Sequence, residues 1–228
     1  MAPAHLRRAT PSRSRCRIHA AALAVVGAGL VACSQTPSTT APGASEGATD
    51  VVRMAVVGDS ITDADSPDLA SGALGAQSWV SYAVGDGVAF AGGWAQWGAR
   101  TAQMADGVAG PLDADVLVIL AGTNDAYSDD LAADVGAQLE RIVDRADVEA
   151  VVVSSIPPID AAPDRATAVN AFLEPFVAEH GWTWVDASAG LRDGEGFAPT
   201  MSDDGVHPTA DGARILGHAI REAVLAAD

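Results

Sequence analysis

The segment VVRMAVVGDS, residues 51–60, decides the fold class of this 228-residue chain. Its first seven residues are almost all apolar and rich in β-branched side chains, a pattern typical of a strand buried on both faces. Gly58 ends the apolar run, and the polar pair Asp59 and Ser60 follows directly. The segment therefore predicts a buried strand that carries a serine just beyond its carboxyl end.

Further apolar runs predict a sheet of about five strands. After the first strand, they lie at residues 88–91, 115–121, 150–155 and 182–185. Helical periodicity predicts helices near residues 78–84, 101–108, 129–146, 162–180 and 209–227. Pro175, inside the fourth of these, predicts a kink or a break. Alternating strands and helices favour the α/β class, as a single three-layer α/β/α domain with a mostly parallel sheet.

Four short polar motifs follow one another along the chain. They are GDSIT at 58–62, GART at 98–101, GTND at 122–125 and DGVHP at 204–208. The first three follow predicted strands, and the fourth precedes the last helix. Because the ligand crevice of a parallel sheet lies beyond the carboxyl ends of its strands, we expect the motifs to meet there. Together they supply a serine, an Asp/His pair, an amide and a backbone N–H, which can attack an acyl carbonyl and hold its oxyanion.

The four motifs resemble the conserved blocks of the SGNH, or GDSL, hydrolase family, and the resemblance spans the whole predicted domain. It implies a flavodoxin-like fold and a GDSL-type esterase or lipase activity. It also implies that Ser60 is the nucleophile and that His207 is the general base and then acid, oriented by Asp204. The oxyanion hole would consist of the backbone N–H groups of Ser60 and Gly98 and the side-chain amide of Asn124.

Structural roles compete with some of these assignments. Ser60 could cap the N-terminus of a helix, and Asn124 could be an ordinary turn residue. Three histidines follow residue 33, and His207 is the one that lies in a loop three residues after an acid. His180 is predicted at a helix C-terminus, and His218 lies inside the last predicted helix, so packing or surface roles suit them better.

Spacing decides between neighbouring candidates in two motifs. Asp203 adjoins Asp204, and the family pattern D-x-x-H selects Asp204. Gly92 and Gly93 lie near Gly98, but Gly98 alone is followed by x-x-Thr, as in the family. The asparagine that the family often carries upstream in this block is not evident here, so the sequence leaves the detailed geometry around Gly98 undefined.

Two tryptophans, Trp94 and Trp97, flank the second motif and could form a substrate wall, because an aromatic face packs against acyl chains and sugars alike. Burial in the core is the alternative for both. Neither metal-ligand spacing nor a phosphate-binding glycine loop is evident, so no cofactor and no metal are expected.

The first 50 residues differ in composition from the rest. Residues 1–33 hold five arginines and no acid, and a short apolar run ends at LVAC, residues 30–33, which resembles a bacterial lipobox. The run is shorter than the roughly 20 residues of a membrane-spanning helix, so an export signal with lipidation at Cys33 is expected. A plain signal peptide with a chance cysteine is the alternative. Residues 34–50 are predicted to be a flexible linker of Ser, Thr, Pro, Ala and Gly, and residues 51–228 the hydrolase domain.

The charge balance excludes some partners. Eight basic and 30 acidic residues follow Cys33, a formal charge of −22, and the chain contains no lysine. Such a surface argues against binding nucleic acid or anionic lipid through a basic patch. Removal of the leader would also remove Cys16 and leave one cysteine, so an internal disulfide is not expected.

Taken together, these features predict a serine esterase at the cell envelope, lipid-anchored to the outer face of the membrane or secreted. The family resemblance implies that it hydrolyses esters of short to medium acyl groups, with O-acetyl groups on sugars as one candidate substrate, through an acyl-enzyme. Lipase, thioesterase and O-acyltransferase activities remain alternatives for the same site. A catalytically inactive, lipid-anchored carbohydrate-binding protein is the alternative of another class. The expected partners are a small-molecule or polysaccharide ester and, through Cys33 alone, a membrane; a monomer is expected.

Overall fold

A computed structural model describes residues 51–227, which form a five-stranded sheet with helices on both sides. The strands β1 to β5 are Val52–Gly58, Val88–Ala95, Val116–Leu120, Ala150–Ser154 and Thr183–Val185. Their order across the sheet is β2-β1-β3-β4-β5, and every pairing is parallel. The three-layer α/β/α fold expected from the sequence is confirmed.

Helices connect the strands. The helices α1 to α6 are Ser60–Asp63, Val80–Ala83, Thr101–Gly107, Ala137–Ala146, Pro163–Glu179 and Ala210–Ala227. Helix α2 packs against α6, and α3 packs against α4. The connection from β1 to β2 and the connection from β2 to β3 move across the sheet in opposite directions. Because both are right-handed crossovers, they place α2 and α3 on opposite faces of the sheet. Among the described residues, no helix is both long and apolar enough to cross a membrane.

A kink or a break was predicted at Pro175, and the break does not occur: α5 continues through this position as one helix. Proline removes one backbone hydrogen bond from a helix interior. Val169, Leu173 and Val177 lie on both sides of this position and are completely buried. Their packing against the sheet holds the helix together and outweighs the lost bond.

The second strand is longer than the sequence pattern indicated. It continues past residue 91 through Gly92 and Gly93 to Ala95, which pairs with Gly58 at the end of β1. A Cβ atom at Gly93 would lie 1.9 Å from the carbonyl oxygen of Val56, so only glycine allows the two strands to approach here. The extension carries the second motif to the same edge of the sheet as Ser60.

A small antiparallel hairpin, β6 (Arg192–Asp193) and β7 (Gly196–Phe197), precedes the fourth motif and was not predicted.

The strand order places a topological switch point between β1 and β3, where the connections that follow these strands leave on opposite sides of the sheet. Ligands of such sheets bind in the crevice beyond this point. Ser60 directly follows β1, and Asn124 follows β3.

Candidate active site

A continuous chain of hydrogen bonds joins Ser60, His207 and Asp204. The Oγ atom of Ser60 lies 2.9 Å from Nε2 of His207, and Nδ1 of His207 lies 2.7 Å from Oδ2 of Asp204. These distances suit a nucleophile, a base and a carboxylate that orients the base. The fold thus brings together two side chains that are 147 residues apart in sequence.

The loop that carries His207 is held by its own polar side chains. Oδ1 of Asp204 accepts hydrogen bonds from the backbone N–H groups of Val206 and His207, at 2.9 and 2.8 Å. Ser202 Oγ accepts from the N–H of Gly205 and donates to the carbonyl of His207. Partial desolvation raises the pKa of Asp204, but the hydrogen bonds from His207 and Val206 hold it well below its usual range. Asp204 is therefore ionised at neutral pH.

Ser60 begins the short helix α1 and is only 6% exposed. The chain turns so tightly here that a Cβ atom at Gly58 would lie 2.1 Å from Oγ1 of Thr62, which explains the glycine before the Asp-Ser pair. Thr62 in turn accepts a hydrogen bond from the indole N–H of the fully buried Trp79, at 3.0 Å. The helix that carries the serine is thereby fixed to the α2 side of the core.

Asp59 is completely buried beneath the site. Its Oδ1 accepts the N–H of Ile61 at 2.9 Å, and its Oδ2 accepts the side-chain amide of Asn124 at 3.3 Å. Burial raises its pKa to about 7, even though the Ile61 hydrogen bond and the nearby His207 act in the opposite direction. The contact between Asp59 and Asn124 joins segments 65 residues apart and carries no signal in the sequence.

The raised pKa of Asp59 makes the stability of the fold dependent on pH. The unfolded chain releases this proton near pH 4 and the folded chain near pH 7, so the unfolded state binds fewer protons between these values. The free energy of unfolding should therefore fall as the pH rises through this window, by up to about 4 kcal/mol. We expect Asp59→Asn to lack this fall when both proteins are unfolded with urea across the window. Parallel curves of unfolding free energy against pH for the two proteins would show that Asp59 does not have a raised pKa in the folded protein.

The second and third motifs are tied together beside Ser60. The amide of Asn124 donates to the carbonyl of Ala99 at 3.0 Å, and Thr101 donates from its N–H and its hydroxyl to Oδ2 of Asp125, at 2.9 and 2.7 Å. Gly98 has a left-handed backbone, with φ of +71°, and within the described residues its N–H donates no hydrogen bond. The arrangement leaves this N–H available for a ligand.

A small, partly open pocket with a cavity volume of about 20 Å³ lies beside the serine. We call it the Trp97 pocket; its lining residues are Ser60, Ile61, Ala64, Gln77, Trp97, His207 and Pro208. The ring of Trp97 lies against that of His207, with centroids 5.0 Å apart and planes inclined by 33°. Its indole N–H donates to the carbonyl of Ala64 at 3.0 Å. Trp97 is therefore both a wall of the pocket and a neighbour of the imidazole.

Trp94, the other tryptophan considered for the substrate wall, does not line the Trp97 pocket. It belongs to β2, and its indole lies over Gly107, where a Cβ atom would come within 2.3 Å of the ring. It borders a different cavity, shared with Asp63 and the loop that follows. Trp94 lies within β2, where its side chain is turned towards Gly107 of α3. Trp97 lies beyond the end of β2, so the alternation of side chains along the strand does not set its direction.

The other two histidines have partners elsewhere. His180 follows α5, and its Nδ1 and Nε2 lie 2.8 and 2.9 Å from the carbonyl of Phe176 and the carboxylate of Glu140. His218 lies on α6 with its ring edge-on to Tyr82. Neither lines the Trp97 pocket. Within residues 51–227, no cluster of His, Cys, Asp and Glu has an arrangement that could hold a metal ion.

A Ser–His–Asp chain at the carboxyl edge of a parallel sheet is an arrangement typical of hydrolases. Residues 56–215, which include all four motifs, match the model of the GDSL-like lipase/acylhydrolase family. The chain belongs to this family. A comparison with curated proteins finds no significant match.

Solved structures share the fold at low sequence identity. A lipase/acylhydrolase from Enterococcus faecalis matches with a TM-score of 0.61 and 21% identity, covering 78% of this chain and 97% of its own. A carbohydrate esterase of family 3 from Talaromyces cellulolyticus matches with a TM-score of 0.58 and 19% identity, covering 77% and 97%. A mutant acetyl esterase with an acetate ion gives a TM-score of 0.58 and 18% identity, covering 77% and 97%.

Proposed function

We propose that this protein is a serine esterase that passes the acyl group of a carboxylic ester to Ser60 and then to water. The observation that carries the proposal is the chain of hydrogen bonds from Ser60 through His207 to Asp204. A serine hydroxyl becomes an effective nucleophile when a neighbouring base takes its proton. Nε2 of His207 is in place to do so, and the ionised Asp204 stabilises the imidazolium that forms.

The reaction then has two steps, acylation of Ser60 and hydrolysis of the acyl-enzyme. Oγ of Ser60 bonds to the ester carbon, and the proton that it loses passes through His207 to the departing alcohol oxygen. Water next attacks the acyl-enzyme and gives its proton to His207, which returns it to Ser60 as the acid leaves. The oxyanion of each intermediate would be held by the N–H groups of Ser60 and Gly98 and by the amide of Asn124. In the structure the two N–H groups of that amide donate to Ala99 and, at the longer distance of 3.3 Å, to Asp59, so one of these bonds must give way when Asn124 binds the oxyanion.

Short acyl groups, including acetyl groups on sugars, are the substrates that we propose. The names of two structural relatives, a carbohydrate esterase and an acetyl esterase, support the same substrate class. A neutral ester also suits a chain with far more acidic than basic residues.

The test is hydrolysis of a series of aryl esters from acetyl to palmitoyl, followed by acetylated sugars. We expect kcat/KM to be highest for the shortest acyl groups and acetate to be released from the sugars. A maximum at long chains would favour a lipase instead. Transfer of the acetyl group to an added sugar, at the expense of free acetate, would favour an acyltransferase.

We also propose that the protein is exported and held at the outer face of the membrane by a lipid on Cys33. This residue and the 34–50 linker lie outside the described residues, so the proposal rests on the basic leader, the apolar run and the LVAC sequence. The mass of the mature N-terminus tests it: a first residue other than a lipid-modified Cys33 would contradict the anchor.

A further inference from the structure

The direction in which the leaving group departs is set by His207. The alcohol oxygen must take a proton from Nε2 of this residue, so the alcohol lies on the imidazole side of Ser60. The oxyanion points instead towards Asn124 and Gly98. The Trp97 pocket is lined by both Ser60 and His207, and neither Asn124 nor Gly98 borders it. Its position therefore matches the alcohol part of the ester.

The walls of the Trp97 pocket combine an aromatic face with an amide. Trp97 is 55% exposed, whereas Trp79 on the same side of the site is completely buried. Because the indole borders the same pocket as Ser60 and His207, its exposed face can contact a ligand that reacts there. The C–H groups of a sugar ring pack on such a face, and the amide of Gln77 can both donate to and accept from hydroxyl groups. In the described residues that amide has no hydrogen-bond partner.

The indole of Trp97 and the backbone at Gln77 are both held by hydrogen bonds within the protein. The carbonyl that holds the Trp97 indole belongs to Ala64, a non-glycine residue with a left-handed φ of 47°. Strain of this kind persists where the surrounding structure requires it and is concentrated at ligand sites. Gln77 is held through its backbone N–H by Oδ1 of Asp65 at 2.8 Å, next to a second bond from Ala76 to Oδ2.

We infer that the alcohol part of the ester binds over the open mouth of the Trp97 pocket, and that Trp97 and Gln77 select an alcohol with the ring and hydroxyl groups of a sugar. The inference rests on the proposed esterase function and extends it, because it assigns the alcohol, and not the acyl group, to this pocket. Trp97 then determines specificity for the alcohol and leaves the choice of acyl length to the opposite side of Ser60.

The experiment varies the alcohol and the acyl group independently. The substrates are ethyl acetate, ethyl butyrate and a mono-acetylated methyl glycoside, and the proteins are the wild type, Trp97→Ala and Gln77→Ala. We expect Trp97→Ala to lower the ratio of kcat/KM for the acetylated glycoside to that for ethyl acetate by at least about tenfold, and Gln77→Ala to lower it less. The ratio of ethyl butyrate to ethyl acetate should not change. Because each ratio is internal to one protein, differences in the fraction of active protein cancel.

Tyr127→Ala is the matched control. This side chain is also an exposed aromatic, at 61%, but it lies under the guanidinium of Arg165 and does not line the Trp97 pocket. We expect both ratios to remain as in the wild type. Trp97→Phe, which keeps an aromatic face and loses the bond to Ala64, should fall between the wild type and Trp97→Ala and guards against misfolding of the smaller variant.

Two results would overturn the assignment of the pocket. One is a rise in the butyrate-to-acetate ratio in Trp97→Ala with no change in the glycoside ratio, which would make this the acyl pocket. The other is an equal loss on all three esters. Failure of the esterase proposal is distinct from both, since the wild type would then show no Ser60-dependent turnover of any ester.

Discussion

Replacing Ser60 with alanine is expected to lower kcat for ester hydrolysis by about 10⁴-fold or more. The variant loses the atom that bonds to the acyl carbon, and water in its place is neither positioned nor deprotonated to the same degree. Donors for the oxyanion would remain and account for a small residual rate. Release of acid and alcohol from a short-chain ester, followed over hours for the variant, measures the effect.

Thermal unfolding and chemical labelling distinguish loss of the nucleophile from loss of the folded structure. Ser60 shares a single side-chain hydrogen bond, with His207, so Ser60→Ala should unfold at nearly the wild-type temperature. An alkyl fluorophosphonate should add one adduct to the wild type and none to Ser60→Ala. Ser128→Ala, which removes a partly exposed serine hydroxyl that donates to Asp134, should label like the wild type. Turnover by Ser60→Ala at the wild-type rate would exclude this serine as the nucleophile.

Replacing Asp204 with asparagine is the second large effect, a fall in kcat of about 10⁴-fold. An amide at the position of Oδ2 would present N–H to Nδ1 of His207 and favour the tautomer with the proton on Nε2. That tautomer cannot accept the proton of Ser60. The oxygen that remains can still accept the backbone N–H groups of Val206 and His207, so the loop should keep its shape. The measurement is kcat and KM for the same ester.

The neighbouring acid supplies the control for this prediction. Asp203 is exposed and, within the described residues, takes part in no side-chain hydrogen bond, so Asp203→Asn removes the same charge one residue away. We expect it to retain wild-type activity within about twofold. Similar losses in both variants would show that net charge near the loop matters, and that the specific contact with His207 does not.

Much of the fold follows from local pattern. The apolar run before Gly58 and the similar run at 115–121 each predict a buried strand, and both form where expected. The four motifs could be assigned because three of them follow a predicted strand and the fourth precedes the last helix, and family membership is confirmed across them. A strand or a helix is visible in sequence because its apolar residues repeat with the period of its own geometry.

Contacts between distant segments could not be predicted in this way. The extension of β2 through Gly92 and Gly93 has a weak apolar signal and depends on the neighbouring β1. The uninterrupted helix at Pro175 depends on packing against the sheet, which outweighs a local rule. In both places tertiary contacts override the preference of the isolated segment.

The sequence by itself determined the α/β class, the family and the residue types that can attack an ester. It did so because these depend on short-range periodicity and on motifs a few residues long. The tertiary structure alone decided that Asp59 reaches Asn124, that Trp97 and not Trp94 stands beside His207, and that a small pocket opens on the imidazole side of Ser60. Each of these is a contact between segments far apart in the chain, and only the packed arrangement of the sheet, its loops and its helices defines such distances.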